Sequence, residues 1–533
     1  MLASSQISSV RYPVFSKDLE RQKGRKAWKT NLELAELAAS KVASCLGPAG
    51  AYKLVTYHRG PELVTKVTKD AVDIVDELGI QYPAVKTLAE AAKIHREHAG
   101  DGVSTLLVLL SSLLQEAQKL IELGIHPVSI VDGYKEAANR AMAIIDETSI
   151  RFDTDLENSI LTVIDSGRGL LSPSFKKDLV RAIGIVEREG TVDIRRKKKK
   201  KKLGGNTDES RLVEGVIITR AKAHRSMPDY VDAPRVALIK KKMELKPFEQ
   251  LAIGEGPFTA RLKIEEVKQV EQFKSEEKVL RAQIVESIKS SGANVVLCMG
   301  GIEGRVADML SREGIFALQT VDPKDLDEIS KATGANIVGS VSLLQREDVG
   351  IAKKLDVDKI PPEKIAILQC DGAATLLLRG SSPEIVRELE KIVKKALLVL
   401  KHSRTRPKVV AGGGAIFAEL SHRMRKFALG FNGKQQLAVK AFGDALETIP
   451  RCLATNYGLD PIDVIMQLRA RHAENLESSG VGQEGCADMY EARIVELAAI
   501  VKTTIWRTFE VASLLLKIDD YFRVKDLPIV HRQ

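Results

Sequence analysis

The spacing of apolar residues divides the chain into three regions. Up to about residue 145 they recur every three to four positions, a period that predicts amphipathic helices. From about Gly215 short runs rich in β-branched residues alternate with helical segments, and after about Val409 the pattern is helical again. Two stripes illustrate the first region: Leu32, Leu34, Leu37 and Val42, and Leu88, Ala91, Ala92 and Ile94. A mixed region inside a helical one indicates a domain inserted into another.

The middle region carries the signals of an α/β domain. The runs 215–219 and 235–240 are predicted strands because they are short and rich in Val, Ile and Leu. Two similar junctions, at 291–296 and 333–338, each predict a helix that ends at a glycine and leads into a strand. The segment 262–289 is long and highly charged, which predicts a helix that faces solvent or a partner.

Composition and charge narrow the class of protein. The chain has 533 residues, 44% of them hydrophobic and 29% charged. This length predicts about three or four domains, and the composition excludes the disordered, collagen and coiled-coil classes. The formal net charge is +10, but eight of the positive charges form one run, Arg195 to Lys202. The basicity is therefore a local feature.

The basic run has two interpretations. Eight adjacent like charges repel one another, which favours a solvated loop or a strand edge. The alternative is a patch that binds an acidic surface of a partner. Nucleic-acid binding is disfavoured, because no aromatic residues alternate with the lysines for base stacking.

The cysteines and the N-terminus indicate a cytoplasmic protein. The cysteines lack C-x-x-C and metal-ligand spacing, which favours a reducing compartment without disulfides. The N-terminus lacks the apolar core of a signal peptide, and the most apolar stretch, 103–114, is too short to cross a bilayer. No membrane association is therefore expected. The five cysteines are Cys45, Cys298, Cys370, Cys452 and Cys486.

Four short segments could together form a phosphate and metal site. The glycine turn at 46–50 would let backbone N–H groups come close to an anion. The glycine turn at 411–415 would let a flat base or a ribose come close to the backbone. Asp101 could hold Mg²⁺, while Ser104 and Thr105 open a helix whose N-terminus favours phosphate. The segments are Leu46-Gly-Pro-Ala-Gly50, Thr68-Lys-Asp70, Gly100-Asp-Gly-Val-Ser-Thr105 and Ala411-Gly-Gly-Gly-Ala415. Taken singly, each is more simply a loop, turn or helix start, and the missing G-x-x-x-x-G-K-[ST] motif disfavours a Walker-type NTPase.

Further motifs accompany these segments in a fixed order along nearly the whole chain. They are His126-Pro127, Gly133-Tyr134, Gly204-Gly205, Gly215-Val216, Met227-Pro228, Leu378-Arg379-Gly380, and the segments 441–450, 458–463 and 516–520. The ordered set resembles the group II chaperonins, which comprise the archaeal thermosome and its eukaryotic cytosolic relatives.

This resemblance implies a group II chaperonin architecture. An α-rich equatorial domain would comprise residues 1–145 and 404–533, and an α/β intermediate domain residues 146–214 and 369–403. An inserted α/β apical domain would span 215–368, with a helical protrusion at 245–288 that builds a lid. The resemblance also implies a double ring of identical or paralogous subunits that encloses unfolded protein.

The resemblance further implies that ATP or ADP binds with Mg²⁺ in the equatorial domain. Asp101 would hold the metal, and Asp70 would be a retained catalytic acid. The positions that match the family's nucleotide contacts are Leu46, Gly47, Pro48, Gly50, Asp101, Gly102, Val103, Ser104, Thr105, Gly413 and Glu496.

Departures from the family's motifs fall on this chemistry. An ungapped comparison from Leu378 to Gly412 places Lys395 where the family has the catalytic aspartate of an E-D-A triplet. A protonated amine cannot accept a proton from water, and we expect Lys395 to pair with phosphate or with Asp70 and Asp101. The alternative is that Lys395 lies on the solvated face of a helix at 388–401. Further departures are Ala49, Tyr52, Lys69, Ala71, Val103, Phe417 and Leu497.

Three functions remain open at this point. The first is a chaperonin subunit that binds ATP and unfolded protein but hydrolyses ATP poorly, with paralogues supplying the ATPase. The second is a non-hydrolysing structural or assembly subunit on the same fold. The third is a competent ATPase in which Glu390 or Asp444 replaces the missing acid.

Overall fold

The computed structural model is a mixture of helices and small sheets. It describes residues 19–23, 25–59, 62–77, 83–151, 160–161, 164, 169–188, 191–192, 197–203, 205–244, 267–360, 363–371, 373–518 and 520–524. The α-helices are α1 Arg25–Ala43, α2 Ala71–Glu77, α3 Pro83–Ala99, α4 Val103–Glu122, α5 Pro127–Thr148, α6 Pro173–Val186, α7 Val267–Ser291, α8 Gly304–Arg312, α9 Pro323–Thr333, α10 Pro383–Thr405, α11 Ala415–Ala428, α12 Lys434–Leu446, α13 Thr448–Tyr457, α14 Pro461–Ala473 and α15 Ala498–Leu516.

The strands are short and spread along the chain. They are β1 Leu19–Lys23, β2 Lys53–Arg59, β3 Glu62–Thr68, β4 Ile150–Arg151, β5 Glu187–Arg188, β6 Thr191–Val192, β7 Lys197–Leu203, β8 Arg211–Glu214, β9 Val216–Ile218, β10 Tyr230–Asp232, β11 Arg235–Ile239, β12 Val295–Cys298, β13 Phe316–Leu318, β14 Ile337–Val338, β15 Gly350–Ile351, β16 Lys354–Ile360, β17 Glu363–Gln369, β18 Ala374–Gly380, β19 Lys408–Ala411, β20 Ser479–Val481, β21 Cys486–Asp488, β22 Val495–Leu497 and β23 Asp520–Val524.

The chain divides into two compact units, one of them formed by both chain ends. Residues Met1–Gly169 and Lys394–Gln533 make up the terminal unit, and Leu170–Val393 make up the inserted unit. The finer division into equatorial, intermediate and apical domains stays a prediction at the boundaries given above.

The terminal unit is built around α4, whose two central turns are buried on every side. This burial follows from the almost continuous apolar sequence of the helix, since a helix that is hydrophobic all round belongs in a core. Helices α1, α5, α12 and α15 pack around it and against each other. Tyr134 of α5 donates a hydrogen bond to the Leu113 carbonyl of α4 at 2.8 Å, and its ring meets Phe442 of α12 edge-on at 5.6 Å.

The two predicted apolar stripes in this unit are each wrong at one position. Leu37 is 43% exposed and Ile94 is 45% exposed. Ala38 and His95, the next residue in each case, are buried instead. Ala38 lies four residues before the buried Val42, and His95 lies three residues after the buried Ala92, so each shares the buried face of its helix.

Small sheets complete the terminal unit. β1 pairs antiparallel with β23, so the two ends of the described chain meet, and β2 pairs with β3 as a hairpin. A three-stranded sheet has the order β22-β19-β4. This sheet leads from β19 into the glycine triplet and α11, and from β22 into α15.

The inserted unit contains the α/β core that the sequence predicts. A parallel sheet, β13-β12-β11-β14, lies beside an antiparallel sheet, β10-β16-β17-β9, and their buried faces share one apolar cluster. Both predicted helix-to-strand junctions are confirmed. Gly292 and Gly334 follow α7 and α9 with φ angles of +79° and +76°, and β12 and β14 begin shortly afterwards.

The charged segments of the inserted unit are partly described. Of the predicted protrusion at 245–288, residues 245–266 lie outside the described residues, and the remainder belongs to α7. Lys197 to Lys202 form β7, the edge strand of the sheet β7-β18-β8, in agreement with the strand-edge interpretation. Arg195 and Arg196 lie outside the described residues.

Two further expectations from the sequence concern the cysteines and membrane-spanning helices. All five cysteines are free thiols. Across the ranges that the structure describes, no helix combines the length and the apolar character that crossing a bilayer requires.

Candidate functional site

The turn Gly100–Gly102 joins α3 to α4 and carries Asp101 at its centre. Both glycines have positive φ angles, +80° and +85°, which other residues rarely adopt. Packing imposes a second requirement. A Cβ atom at Gly100 would lie 2.8 Å from the Leu398 Cβ of α10, and one at Gly102 would lie 2.5 Å from the Thr504 Oγ1 of α15. The position of Asp101 is therefore set by the packing of two distant helices.

Asp101 forms an ion pair with Lys395 of α10. The Lys395 Nζ lies 2.8 Å from Asp101 Oδ1, and the two side chains are 24% and 34% exposed. The same oxygen accepts a hydrogen bond from the Gly102 N–H at 2.7 Å. Burial would raise the pKa of Asp101, but the charge of Lys395 and its hydrogen bond outweigh burial and lower that pKa. An ionised carboxylate is thus neutralised by an ammonium.

Glu496 of β22 is the second carboxyl group in this environment. It lies opposite Val410 in the pairing of β22 with β19. Burial and the negative charge of Asp101 raise the pKa of Glu496 to about 7, whereas Lys395 acts to lower it. Glu496 therefore carries a proton for part of the time at neutral pH and can donate as well as accept a hydrogen bond.

The turn at 46–50 follows the end of α1 and is held by an asparagine from α13. The Asn456 side-chain amide donates to the carbonyls of Ala43 and Leu46 at 2.9 and 2.8 Å. Ala43 is the last residue of α1, and its carbonyl also accepts a hydrogen bond from the Leu46 N–H at 3.1 Å. Leu46 lies in the turn itself. Gly50 must be a glycine, since a Cβ atom there would lie 2.4 Å from the preceding backbone. The tight turn is therefore a property of the fold around it.

A buried lysine also binds this turn. The Lys69 Nζ donates to the carbonyls of Gly47 and Pro48 at 2.8 and 3.2 Å, and Lys69 is only 5% exposed. The ammonium places a positively charged group beside the turn.

Asp70 caps α2 and pairs with an arginine. Its Oδ1 accepts hydrogen bonds from the N–H groups of Val72 and Asp73 at 2.9 and 3.2 Å. The Arg96 guanidinium lies 3.3 Å from the same oxygen. Of the two pairings expected for Lys395, the structure has the one with Asp101, while Asp70 is paired with Arg96.

The first turn of α4 supplies backbone donors next to Asp101. Val103, Ser104 and Thr105 occupy this turn and are partly exposed. Their N–H groups have no acceptor within the helix, and the helix dipole favours an anion at this end. Val103 presents an apolar side chain in the place of a hydroxyl.

The glycine triplet 412–414 is a tight helix start. A Cβ atom at Gly412 would lie 3.0 Å from Ile494, and one at Gly413 would lie 2.4 Å from the Met489 sulfur. Gly413 and Gly414 have φ angles of +57° and +77°, and α11 begins immediately afterwards. Packing and backbone conformation thus account for the triplet, and a ligand contact at Gly413 stays a prediction.

The oxygens around the turn are a poor donor set for a divalent cation. Mg²⁺ is bound by ionised carboxylates whose oxygens are free to coordinate. Here Asp101 is already paired with Lys395, and the raised pKa of Glu496 reduces its charge. Within the described ranges, no group of three or more His, Cys, Asp or Glu side chains could hold a metal ion. Mg²⁺ on Asp101 stays a prediction that this donor set does not favour.

Comparison with known proteins identifies the family. Residues 39–526 match the model of the TCP-1/cpn60 chaperonin family. The chain belongs to this chaperonin family. Similar relatives include thermosome subunit alpha of Methanothermobacter thermautotrophicus, which is 35% identical with 97% of this chain and 95% of the relative covered. Thermosome subunit beta of Thermoplasma acidophilum is 33% identical, with 96% and 95% covered, and a thermosome subunit of Methanocaldococcus jannaschii is 35% identical, with 95% and 94% covered.

These relatives confirm the group II chaperonin identified from the motifs. Thermosome chaperonins are ATP-dependent and generally need Mg²⁺. In this chaperonin, the segments at 46–50, 68–70, 100–105 and 411–415 all belong to the terminal unit. The roles of their individual residues in nucleotide binding stay predictions.

Sequence reasoning did not identify the residues that contact the turns at 100–102 and 46–50. His95 is buried beside Gly102, with its Nε2 3.2 Å from Thr504 Oγ1. Burial and the positive charge of Arg507 lower the pKa of His95 to about 4, so the imidazole is neutral at pH 7. A signal for His95 did exist, because it continues the stripe that contains Ala92. The contacts of Lys69 and Asn456 with the turn at 46–50 leave no such local trace.

Proposed function

We propose that this chaperonin is a cytoplasmic ring subunit that binds ATP in the terminal unit and hydrolyses it poorly. The observation that carries the proposal is the ion pair between Lys395 and Asp101. In the wider assembly, identical or paralogous subunits would form a double ring that encloses unfolded protein, as the thermosome relatives suggest.

ATP binding is supported by groups that are independent of Lys395. The turn at 46–50 is shaped by Asn456 and Lys69, and the first turn of α4 presents backbone N–H groups next to Asp101. Backbone donors and a positive charge are the features that bind phosphate oxygens. These parts are intact here, so retained binding is expected.

Poor hydrolysis follows from the missing base. Water must lose a proton as it attacks phosphate, and a carboxylate can accept that proton whereas an ammonium cannot. Asp444, one of the two acids that might compensate, lies 3.0 Å from the Arg425 guanidinium. The retained acid, Asp70, is bound to Arg96. Glu496, with a pKa of about 7, is the acid in this environment best matched to a base at neutral pH.

The test is single-turnover ATP hydrolysis by the purified chain and two variants. Lys395→Asp restores the carboxylate and should raise the rate about a hundredfold, the order expected of a positioned base. Lys394→Asp makes the same charge change at the exposed neighbouring residue and should leave the rate low. Robust turnover by the unaltered chain, unchanged in Lys395→Asp, would contradict the proposal. A rate that Glu496→Gln abolishes would identify the compensating base.

Ring assembly needs a separate measurement. Mixing the chain with a hydrolysing paralogue and determining the masses of the complexes should give mixed double rings. A chain that enters such rings but binds no ATP would instead be a structural or assembly subunit.

A further inference from the structure

The Lys395 ammonium is held over the Asp101 turn by more than its own charge. Leu398, three residues further along α10, packs against Gly100 so closely that a Cβ atom there would lie 2.8 Å from the Leu398 Cβ. One turn beyond, the His402 Nε2 lies 2.8 Å from the carbonyl oxygen of His98. Three successive turns of α10 therefore contact the segment 98–101, and Lys395 is placed at Asp101 by helix packing.

This placement puts a cation where a carboxylate and a polyphosphate would otherwise repel each other. Without Lys395, Asp101 would present one negative charge to an anionic ligand, and a divalent cation would have to bridge the two. With Lys395, the turn is neutral as it stands. Of the three N–H bonds of the ammonium, one is directed to Asp101 Oδ1 at 2.8 Å, and the others are available to further acceptors.

From this geometry we infer that Lys395 takes the place of the divalent cation, and that the site binds ATP or ADP as the metal-free polyphosphate. The inference rests on the nucleotide binding proposed above and adds a property to it. Asp101 then serves to hold the ammonium, with its Oδ1 bound to Lys395 and to the Gly102 N–H. The α4 N–H groups and the Lys395 ammonium together bind the negatively charged phosphate oxygens.

The experiment measures ATP affinity by isothermal titration calorimetry in excess Mg²⁺ and in excess EDTA. The unaltered full-length chain should bind ATP at least as tightly in EDTA as in Mg²⁺. Lys395→Asp should bind at least about tenfold more tightly in Mg²⁺ than in EDTA, because the added carboxylate needs a metal bridge. Lys394→Asp, with the same charge change on the exposed side of α10, should behave as the unaltered chain does.

Two further measurements keep the inference open to refutation. Lys395→Met removes the ammonium without adding a charge, and its affinity in EDTA should fall about tenfold. Electron paramagnetic resonance of Mn²⁺ with ADP should show no additional bound metal for the unaltered chain and a new bound population for Lys395→Asp. Circular dichroism establishes that each variant is folded.

The outcomes separate the two proposals. Absence of ATP binding by the unaltered chain in both solutions would defeat the proposed function itself. Binding in Mg²⁺ alone, or full affinity of Lys395→Met in EDTA, would overturn the metal-free site and leave nucleotide binding in place.

Discussion

Two lysines lie at two turns of the terminal unit, and their contacts differ in kind: one binds a carboxylate and the other binds backbone carbonyls. Lys395 binds the carboxylate of Asp101 at 2.8 Å, so the pair is neutral. Lys69 donates hydrogen bonds to the carbonyls of Gly47 and Pro48, which are dipoles without net charge.

The difference shows that the partner of a charge decides its effect. Lys395 neutralises the negative charge of Asp101. Lys69 is 5% exposed and is held by hydrogen bonds that would be costly to leave unmade in a buried place. We therefore propose that the first lysine alters the chemistry of the site and that the second supports its structure.

The largest expected effect is a loss of stability in a variant that tests whether the turn Gly100–Gly102 is fixed next to Lys395 or free to shift. Gly102→Ala should lower the free energy of unfolding by about 3 kcal/mol, since a positive φ and a close contact are both penalised. Gly124→Ala is the matched control, because Gly124 has a φ of +86° and no atom within 4 Å of the added Cβ. Gly124→Ala should lower the free energy of unfolding by about 1 kcal/mol, because only the positive φ is penalised there. Equal losses in urea unfolding would show that the turn is free to shift.

A smaller effect separates the two lysines directly. Lys69→Met should cost about 2 kcal/mol of unfolding free energy, because two carbonyls lose a buried donor. Lys395→Met should cost about 1 kcal/mol or less, as expected for a partly exposed ion pair. Urea denaturation of both variants, with the exposed Lys394→Met as reference, measures the difference. The reverse ranking would contradict the structural role assigned to Lys69.

A third test uses the pH dependence of stability that Glu496 causes, because Lys395 acts to lower the pKa of this carboxyl group. The folded pKa of Glu496 is raised to about 7 from the ordinary 4.5, so between these values the folded state holds a proton that the unfolded state releases. Stability from this group is complete at low pH and falls as the pH rises through that window. Glu496→Gln should therefore be more stable than the unaltered chain at pH 8, and this difference should be small at pH 4.5.

Lys395→Met should widen the pH window over which Glu496 changes stability, because Lys395 acts to lower the pKa of Glu496 in the folded state. Lys69→Met should leave the window unchanged. Thermal unfolding from pH 4.5 to pH 8 measures both, and a window insensitive to Lys395 would mean that the two side chains do not interact.

Much of the fold is determined by short stretches of the sequence. The helices before and after Gly100–Gly102, the strands that follow Gly292 and Gly334, and the helical, mixed, helical order were all predictable. Periodicity and glycine conformation act between neighbours in the chain, so they leave a local trace. The same locality explains the errors at Leu37 and Ile94, since a period alone locates a helix face only to within one residue.

The family was also evident from the sequence, because ordered motifs need no coordinates. That Lys395 stands in place of a catalytic aspartate stays a prediction of the ungapped comparison. Tertiary structure alone decided which partner each charge found. Lys395 reaches Asp101 because α10 packs Leu398 against Gly100 and thereby places one helix face over one turn. Arg96 of α3 pairs with Asp70 at the start of α2. Lys69 reaches the 46–50 turn in the same way. An ion pair or a buried hydrogen bond depends on distances between segments far apart in the chain, and those distances exist only once the core has packed.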